Sequence, residues 1–261
     1  MADIWHDLPK EQAMNQNADF RSKDASQAQK RNNHHVIKNS YANQSDPKKG
    51  VHVKIGIIGA GFIARAVAAV AMKHGHEIMV SNTRGPETLF SLTASTGCEA
   101  GSPQEAAEFG DIVLVAIPLK AYQTIPVAPL EGKIVLDANN YYPERDGHIG
   151  ELDRDEITTS ELLARHLPKS KVVKVFNAIQ AAAHIESDGR PAGSPDRRAH
   201  PIAGDDAAAK KVVTDLLDQF GFDVVDAGAL AEGRRFQKDT PAYCVPMDSR
   251  KLQEALAVAG I

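Results

Sequence analysis

Residues 53–64 read Val-Lys-Ile-Gly-Ile-Ile-Gly-Ala-Gly-Phe-Ile-Ala, and no other stretch restricts the fold of this chain as much. Val53, Ile55, Ile57 and Ile58 are β-branched and apolar, the make-up of a strand buried on both faces. The strand runs straight into Gly59-Ala60-Gly61-Phe62-Ile63-Ala64, a G-x-G-x-x-A arrangement. Gly59 permits a tight exit from the strand, Gly61 has no Cβ to hold off a pyrophosphate, and Ala64 lets the next helix lie close to the sheet. That helix is expected over Phe62 to Lys73, with Ile63, Val67, Val70 and Ala71 inward. Its first-turn N–H groups have no partners within the helix, which favours an anion there. A glycine turn between strand and helix can be merely structural. The strand before it, the helix after it and a second strand beyond favour a dinucleotide.

The second strand, Glu77 to Ser81, bears on which dinucleotide. NAD-binding units usually place Asp or Glu at its end, about 20 residues after the glycines, against the ribose 2′-hydroxyl. Here the residues are Ser81, Asn82, Thr83 and Arg84, with no carboxylate before Glu87. A carboxylate would repel a 2′-phosphate, whereas a hydroxyl, an amide and a guanidinium would bind it. The expected cofactor is NADP, and the competing reading is a polar turn with a solvated arginine.

At 261 residues the chain suits one large α/β domain, alone or with a small appendage. A formal charge of −4 argues against nucleic acid or an acidic membrane as partner. Cys98 and Cys244 stand far apart in no metal or redox spacing, which points to a reducing, cytoplasmic setting and no metal centre. No apolar run nears 18 residues, so no membrane-spanning helix is expected. Residues 1–50 are rich in Asn, Gln, Lys, Asp and Ser without an apolar period, and read as a disordered polar tail. Residues 51–230 read as a Rossmann-type NADP-binding domain and 231–261 as a short C-terminal helical extension.

The fold expected is α/β and doubly wound, with a mainly parallel sheet. Further strands are expected at 98–100, 111–117, 132–137, 171–176, 200–203 and 222–226. Helices are expected from Pro86 to about Ala94, after Ser102-Pro103, from Thr159 to His166 and from Ala207 to Phe220. Ala138 to Asp155 reads as a long loop and 186–198 as a polar surface loop. Ligands in such sheets bind beyond the carboxyl ends of the strands, which gathers Gly59, Ser81, Ile117, Asn139 and Asn177 along one edge. Tyr141, Tyr142 and His148 read as surface or packing residues of the long loop, and Arg234 and Arg235 as a solvated pair.

Several stretches together resemble the bacterial NADPH-dependent F420 reductase-like family, relatives of archaeal F420H2:NADP oxidoreductase. They are GIIGAGFIA at 56–64, SNTRGPETL at 81–89, VAIPLKAY at 115–122, LDANNYYPERDG at 136–147, TTSELLARHLP at 158–168, VVKVFNAI at 172–179, GDDAAAKKVV at 204–213 and DAGAL at 226–230. The resemblance implies direct hydride transfer between nicotinamide C4 and C5 of the deazaflavin F420; a flavin, a quinone or another carbonyl compound stays open as the acceptor. It places the pyrophosphate on Gly59, Ala60, Gly61, Phe62 and Ile63, and the 2′-phosphate on Ser81, Asn82, Thr83 and Arg84. Ala116, Ile117 and Pro118 would wall the nicotinamide, and Asn139, Asn177, Ala178 and Ile179 would meet the second ring. No catalytic acid or base is implied, because exchange between stacked rings needs alignment and water exclusion. Members of this family are commonly homodimers. A β-hydroxyacid dehydrogenase or imine reductase would need a large helical second domain, and only about 35 residues follow Asp226. A redox sensor that binds NADPH without turnover would need the same pocket and stays open.

Overall fold

The computed structural model describes residues 52–259. The polar segment 1–50 lies outside the described residues. Five parallel neighbours begin the sheet: β1 (Lys54–Ile58), β2 (Glu77–Ser81), β4 (Ile112–Val115), β5 (Ile134–Asp137) and β6 (Lys171–Lys174), with the short β3 (Glu99–Gly101) at the edge. The order is β3-β2-β1-β4-β5-β6, with two further strands completing the sheet beyond β6. Chain order therefore reverses between β1 and β4, the switch point at which doubly wound sheets open a crevice. β4 reads Ile-Val-Leu-Val and is buried throughout, as a central strand covered on both faces must be.

The helices follow the local signals. α1 spans Phe62–Lys73, with Ala64, Val67, Val70 and Ala71 buried. Ile63, expected inward, is instead only half-buried. The segment after Arg84 is a 3-10 turn, Pro86–Leu89, continued by α2 (Phe90–Thr96) and closed by Gly97 at φ 79°. α3 (Pro103–Phe109) starts in a capping box of Ser102 and Glu105, which satisfies two otherwise unpaired N–H groups.

The long loop after β5 carries more order than its composition suggested. It holds two single turns, α4 (Pro143–Asp146) and α5 (Gly150–Asp153). Tyr141 Oη ties them together, donating to Asp153 at 2.6 Å and accepting from the Ile149 N–H at 2.9 Å. α6 (Thr159–His166) then begins in a second capping box, Thr158 with Glu161.

Segment 186–198 is not simply a polar surface loop. It begins within α7 (Ala181–Ser187), and Arg197 and Arg198 at its end are buried. Arg197 pairs with Asp218 and Asp223, and Arg198 with Asp188, each at 2.8 Å. Sequence composition records only that these groups are polar. Burial follows from partners 10 to 26 residues away, which offset the cost of desolvating each guanidinium.

β7 (Ala199–Gly204) runs antiparallel to β6, and β8 (Asp223–Asp226) parallel to β7. The helix between them, α8 (Ala207–Gln219), is capped by the Asp206 carboxylate. The C-terminal residues close this end of the sheet. Phe236, Ala242, Leu252, Ala255 and Leu256, the last three from α9 (Ser249–Val258), share a core cluster with Ala199, Ala203 and Val225. Residues 52–259 form one compact unit.

Candidate functional site

The glycine elbow between β1 and α1 is built by two different demands. Gly59 has φ 121°, and a Cβ there would fall 2.2 Å from the Ala116 carbonyl oxygen, so this position accepts only glycine without strain. Its N–H donates to the Ser81 carbonyl at 3.0 Å, which joins the ends of β1 and β2. Gly61 is the N-cap residue of α1, with no side chain capping the first turn. A Cβ at Gly61 would meet no atom within 4 Å. The glycine there makes no room for protein; it faces open space at a helix N-terminus, where a diphosphate fits the geometry and the dipole. Arg65 Nε donates to the Ala60 carbonyl at 2.9 Å and holds the elbow from behind.

Past β2, the four residues read as a phosphate corner separate. Ser81 is buried and its Oγ donates to the Ile57 carbonyl at 2.9 Å. Its side chain is thus structural, a correction to its assignment as a phosphate ligand. The position faces inward because alternate residues of β2 face alternate sides of a doubly covered sheet. Asn82 is also committed: its Oδ1 accepts from the Arg84 N–H at 2.9 Å and its Nδ2 donates to Thr88 at 2.8 Å. Thr83 and Arg84 are exposed, and Arg84 enters no ion pair among the described residues. Glu87 folds back over Gly85, where a Cβ would lie 2.4 Å from its carboxylate. The corner is therefore less free of negative charge than residues 81–86 alone suggest.

From the elbow a cleft of about 570 Å³ runs along the carboxyl ends of β1, β4, β5 and β6. Gly61, Phe62 and Ile63 line it from α1, and Ala116, Ile117 and Pro118 from the end of β4. Asn139, Asn177 and Ile179 line it from the ends of β5 and β6. Ala178 does not; it is buried in the cluster around Phe236, which corrects its place among the substrate residues. Chain direction explains this, since successive residues leaving a strand face opposite ways.

Beneath the cleft lies a polar network that the sequence did not announce. Lys174 is wholly buried, and its Nζ donates to Thr159 Oγ1 at 2.8 Å and toward the Asn139 carbonyl at 3.4 Å. Burial pushes its pKa down, opposed by the nearby charge of Asp137. Asp137 is equally buried, accepting from Ser160 Oγ at 2.6 Å and from the Asn139 N–H at 2.9 Å. Asn139 Oδ1 in turn accepts from the Ile117 N–H at 3.0 Å. The cleft wall and the end of β5 are thereby tied to a fixed buried pair.

Among the cleft residues that escaped the sequence reading are Arg145, Phe176, Tyr243 and Cys244. Tyr142, read as a packing residue, also lines the cleft, and its hydroxyl meets that of Tyr243 at 2.5 Å. Burial, then the Tyr142 hydroxyl, hold the Tyr243 phenol well above the ordinary tyrosine range. The Arg145 guanidinium stands 4.7 Å from the centre of the Tyr142 ring. Phe176 and Cys244 both take positive φ, 62° and 59°, conformations that non-glycine residues rarely hold outside constrained sites. Only positive φ at a strand end could have flagged Phe176, and no sequence signal prints that. Arg234 and Arg235 stay clear of the cleft; Arg235 pairs with Glu232 at 2.6 Å.

A crevice at the sheet's switch point, a side-chain-free helix N-terminus and two exposed polar residues beyond β2 are the arrangement in which doubly wound α/β proteins hold a nucleotide. Residues 54–141 match the model of the family described as NADP oxidoreductase, coenzyme F420-dependent. The chain is 30% identical over 201 residues to the metalloreductase STEAP3 of Rattus norvegicus, a match that takes in 74% of this chain and 38% of that one. It therefore spans well under half the length of that relative. A crystal structure of the hypothetical protein SMa0349 from Sinorhizobium meliloti aligns with a TM-score of 0.65 at 29% identity, covering 75% of this chain and 95% of that one. A candidate F420-dependent NADP reductase from Arthrobacter sp. FB24 aligns with a TM-score of 0.60 at 26% identity, covering 70% and 87%. No helix among the described residues is long and apolar enough to cross a membrane.

Proposed function

We propose that this chain is an NADP oxidoreductase that moves a hydride between the nicotinamide of NADP(H) and a second ring system of the deazaflavin F420 or flavin class. One observation carries the reading: a single continuous cleft of about 570 Å³ joins the bare helix N-terminus at Gly61 to Asn139 and Asn177. That volume lies in the range of cofactor sites. The name of the Arthrobacter relative points to the same pair of cofactors.

The residues fit a phosphorylated dinucleotide on independent grounds. Gly59, Ala60 and Gly61 offer backbone alone at the helix end, and the N–H groups of Phe62 and Ile63 lack side-chain caps. Thr83 and Arg84 supply the hydroxyl and guanidinium for a 2′-phosphate, while Asn82 shapes the turn that presents them. Bound NADPH supplies a hydride from C4 of its nicotinamide. Ala116, Ile117 and Pro118 form a wall with few polar side-chain atoms, which excludes water from the ring face. Asn139, Asn177 and Ile179 form the far end, where the second ring sits. Asn139 is held by Asp137, Lys174 and Ile117 and serves as a fixed reference point. Alignment of two rings by a rigid wall accounts for catalysis without a general base.

A stopped-flow survey of NADPH oxidation against F420, FMN, FAD and quinones tests this. Oxidation with F420 or a flavin at rates well above the quinone and no-acceptor traces is expected. Tight NADPH binding with no oxidation by any acceptor would sink the enzymatic reading in favour of a nucleotide sensor.

A further inference from the structure

Two buried polar atoms at the ends of β5 and β6 lack partners, and they are chemically complementary. Asn139 Nδ2 is a donor without an acceptor, and Asn177 Oδ1 is an acceptor without a donor. Both residues line the cleft, at 2% and 3% exposure.

The rest of each side chain is accounted for. The Asn139 N–H donates to Asp137, its carbonyl accepts from Lys174, and its Oδ1 accepts from the Ile117 N–H at 3.0 Å. Asn177 Nδ2 donates to the Phe236 carbonyl at 2.9 Å and to Asn140 Oδ1 at 3.3 Å, while the Asn177 carbonyl accepts from Asn140 Nδ2 at 2.9 Å. These bonds fix the orientation of both amides. Turning Asn139 over would set donor against the Ile117 N–H, and turning Asn177 would set oxygen against the Phe236 carbonyl. Nearly every buried polar side-chain atom in a folded protein has a partner, so each exception asks for one. Here one donor and one acceptor belong to cleft residues just beyond two adjacent parallel strands, whose last pair is Asp137 with Lys174.

Resting on the reading of the cleft as a hydride-transfer site, we propose that Asn139 and Asn177 read an amide edge: a ligand carbonyl on Asn139 Nδ2 and the adjoining ligand N–H on Asn177 Oδ1. The class of ligand group is a carbonyl with an N–H beside it. A primary carboxamide such as that of nicotinamide has this pattern, and so does the pyrimidinedione edge of a flavin or deazaflavin. A carboxylate or a methyl ketone lacks the N–H and leaves Asn177 Oδ1 buried and unpaired. Sites that pair such buried groups discriminate strongly against ligands that leave them empty.

Calorimetric titration of the full chain with four probes separates the two sources: NADP, its 3-acetylpyridine analogue, FMN and N3-methyl-FMN. A loss of about tenfold or more for the acetylpyridine analogue against NADP assigns the pair to the carboxamide. The same loss for N3-methyl-FMN against FMN assigns it to the ring edge. Asn139→Asp keeps an oxygen for the Ile117 N–H but replaces the donor with a second, charged oxygen, so it should weaken the discriminated ligand by at least a similar factor. The proposal is overturned if both analogues bind within about twofold of their parents while NADP itself binds well. Absence of any NADP binding is a different failure, since it removes the nucleotide reading and the amide-edge proposal with it.

Discussion

On the proposed reading Arg84 would bear most of the discrimination between phosphorylated and unphosphorylated ribose, because its neighbours are already engaged. Ser81 donates to Ile57 and Asn82 to Thr88, which leaves Thr83 and Arg84 as the exposed polar side chains of the corner. A hydrogen bond to a charged group contributes about 1.5–3 kcal/mol. Arg84→Ala should therefore weaken NADPH by roughly ten- to a hundredfold and NADH by about twofold or less. Equal losses for both nucleotides, read by calorimetry, would remove the assignment. Arg84 could be singled out as a candidate from the sequence because its distance from the glycines and the absence of an acidic residue are local facts. The sequence could not reveal that the Ser81 hydroxyl faces the core, nor bring Tyr243 to Tyr142 across 101 positions. Those depend on tertiary closure, which no local spacing encodes.

At the scale of the element, the strand–turn–helix from β1 to α1 is where sequence and structure agree most closely. The α1 limits, Phe62 and Lys73, were readable because a β-branched run, two glycines and an alanine-rich helix leave one arrangement. The two glycines nevertheless do opposite work, and paired substitutions separate it. Gly59→Ala meets both a positive φ and a backbone oxygen, so it should cost on the order of 3 kcal/mol, about 6–12 °C in Tm for a domain of this size. Gly61→Ala meets nothing and has ordinary φ of −76°. It should leave Tm within a degree or two but weaken NADP at least tenfold, as its methyl takes the space of the diphosphate. A Gly61→Ala protein that bound NADP as the wild type does would place the diphosphate elsewhere. The segment 138–155 was less legible. Its single-turn helices owe their order to Tyr141 and Asp146 contacts within the loop rather than to helical periodicity.

Across the molecule, the reversal of direction at β7 has consequences for stability. It carries His200 alongside Phe176 and Phe222, with ring centres at 5.6 and 4.6 Å. Near β1, His76 packs against His52 and Phe220, and its Nδ1 accepts from the Val53 N–H. That acceptor role requires the neutral ring. Burial, with the added repulsion of His52 and His74, lowers the His76 pKa to about 4. Burial, followed by the Arg198 charge and opposed by Asp188, lowers that of His200 to about 3. Both folded values lie below the unfolded value near 6.5. As pH falls below about 6.5 the unfolded chain takes up protons that the native protein does not, so stability declines toward acid. Each histidine contributes up to about 1.4 kcal/mol per pH unit. Urea unfolding followed by circular dichroism should thus show about 2–4 kcal/mol less stability at pH 5 than at pH 7.5. His200→Leu should flatten that slope by about half. The lowered carboxylates Asp146, Asp188 and Asp206 act only at lower pH, since their ordinary value is 3.8. A stability that stayed level from pH 7.5 to pH 5 would mean that both rings are protonated in the native protein, and with His76 charged the bond from the Val53 N–H would be lost.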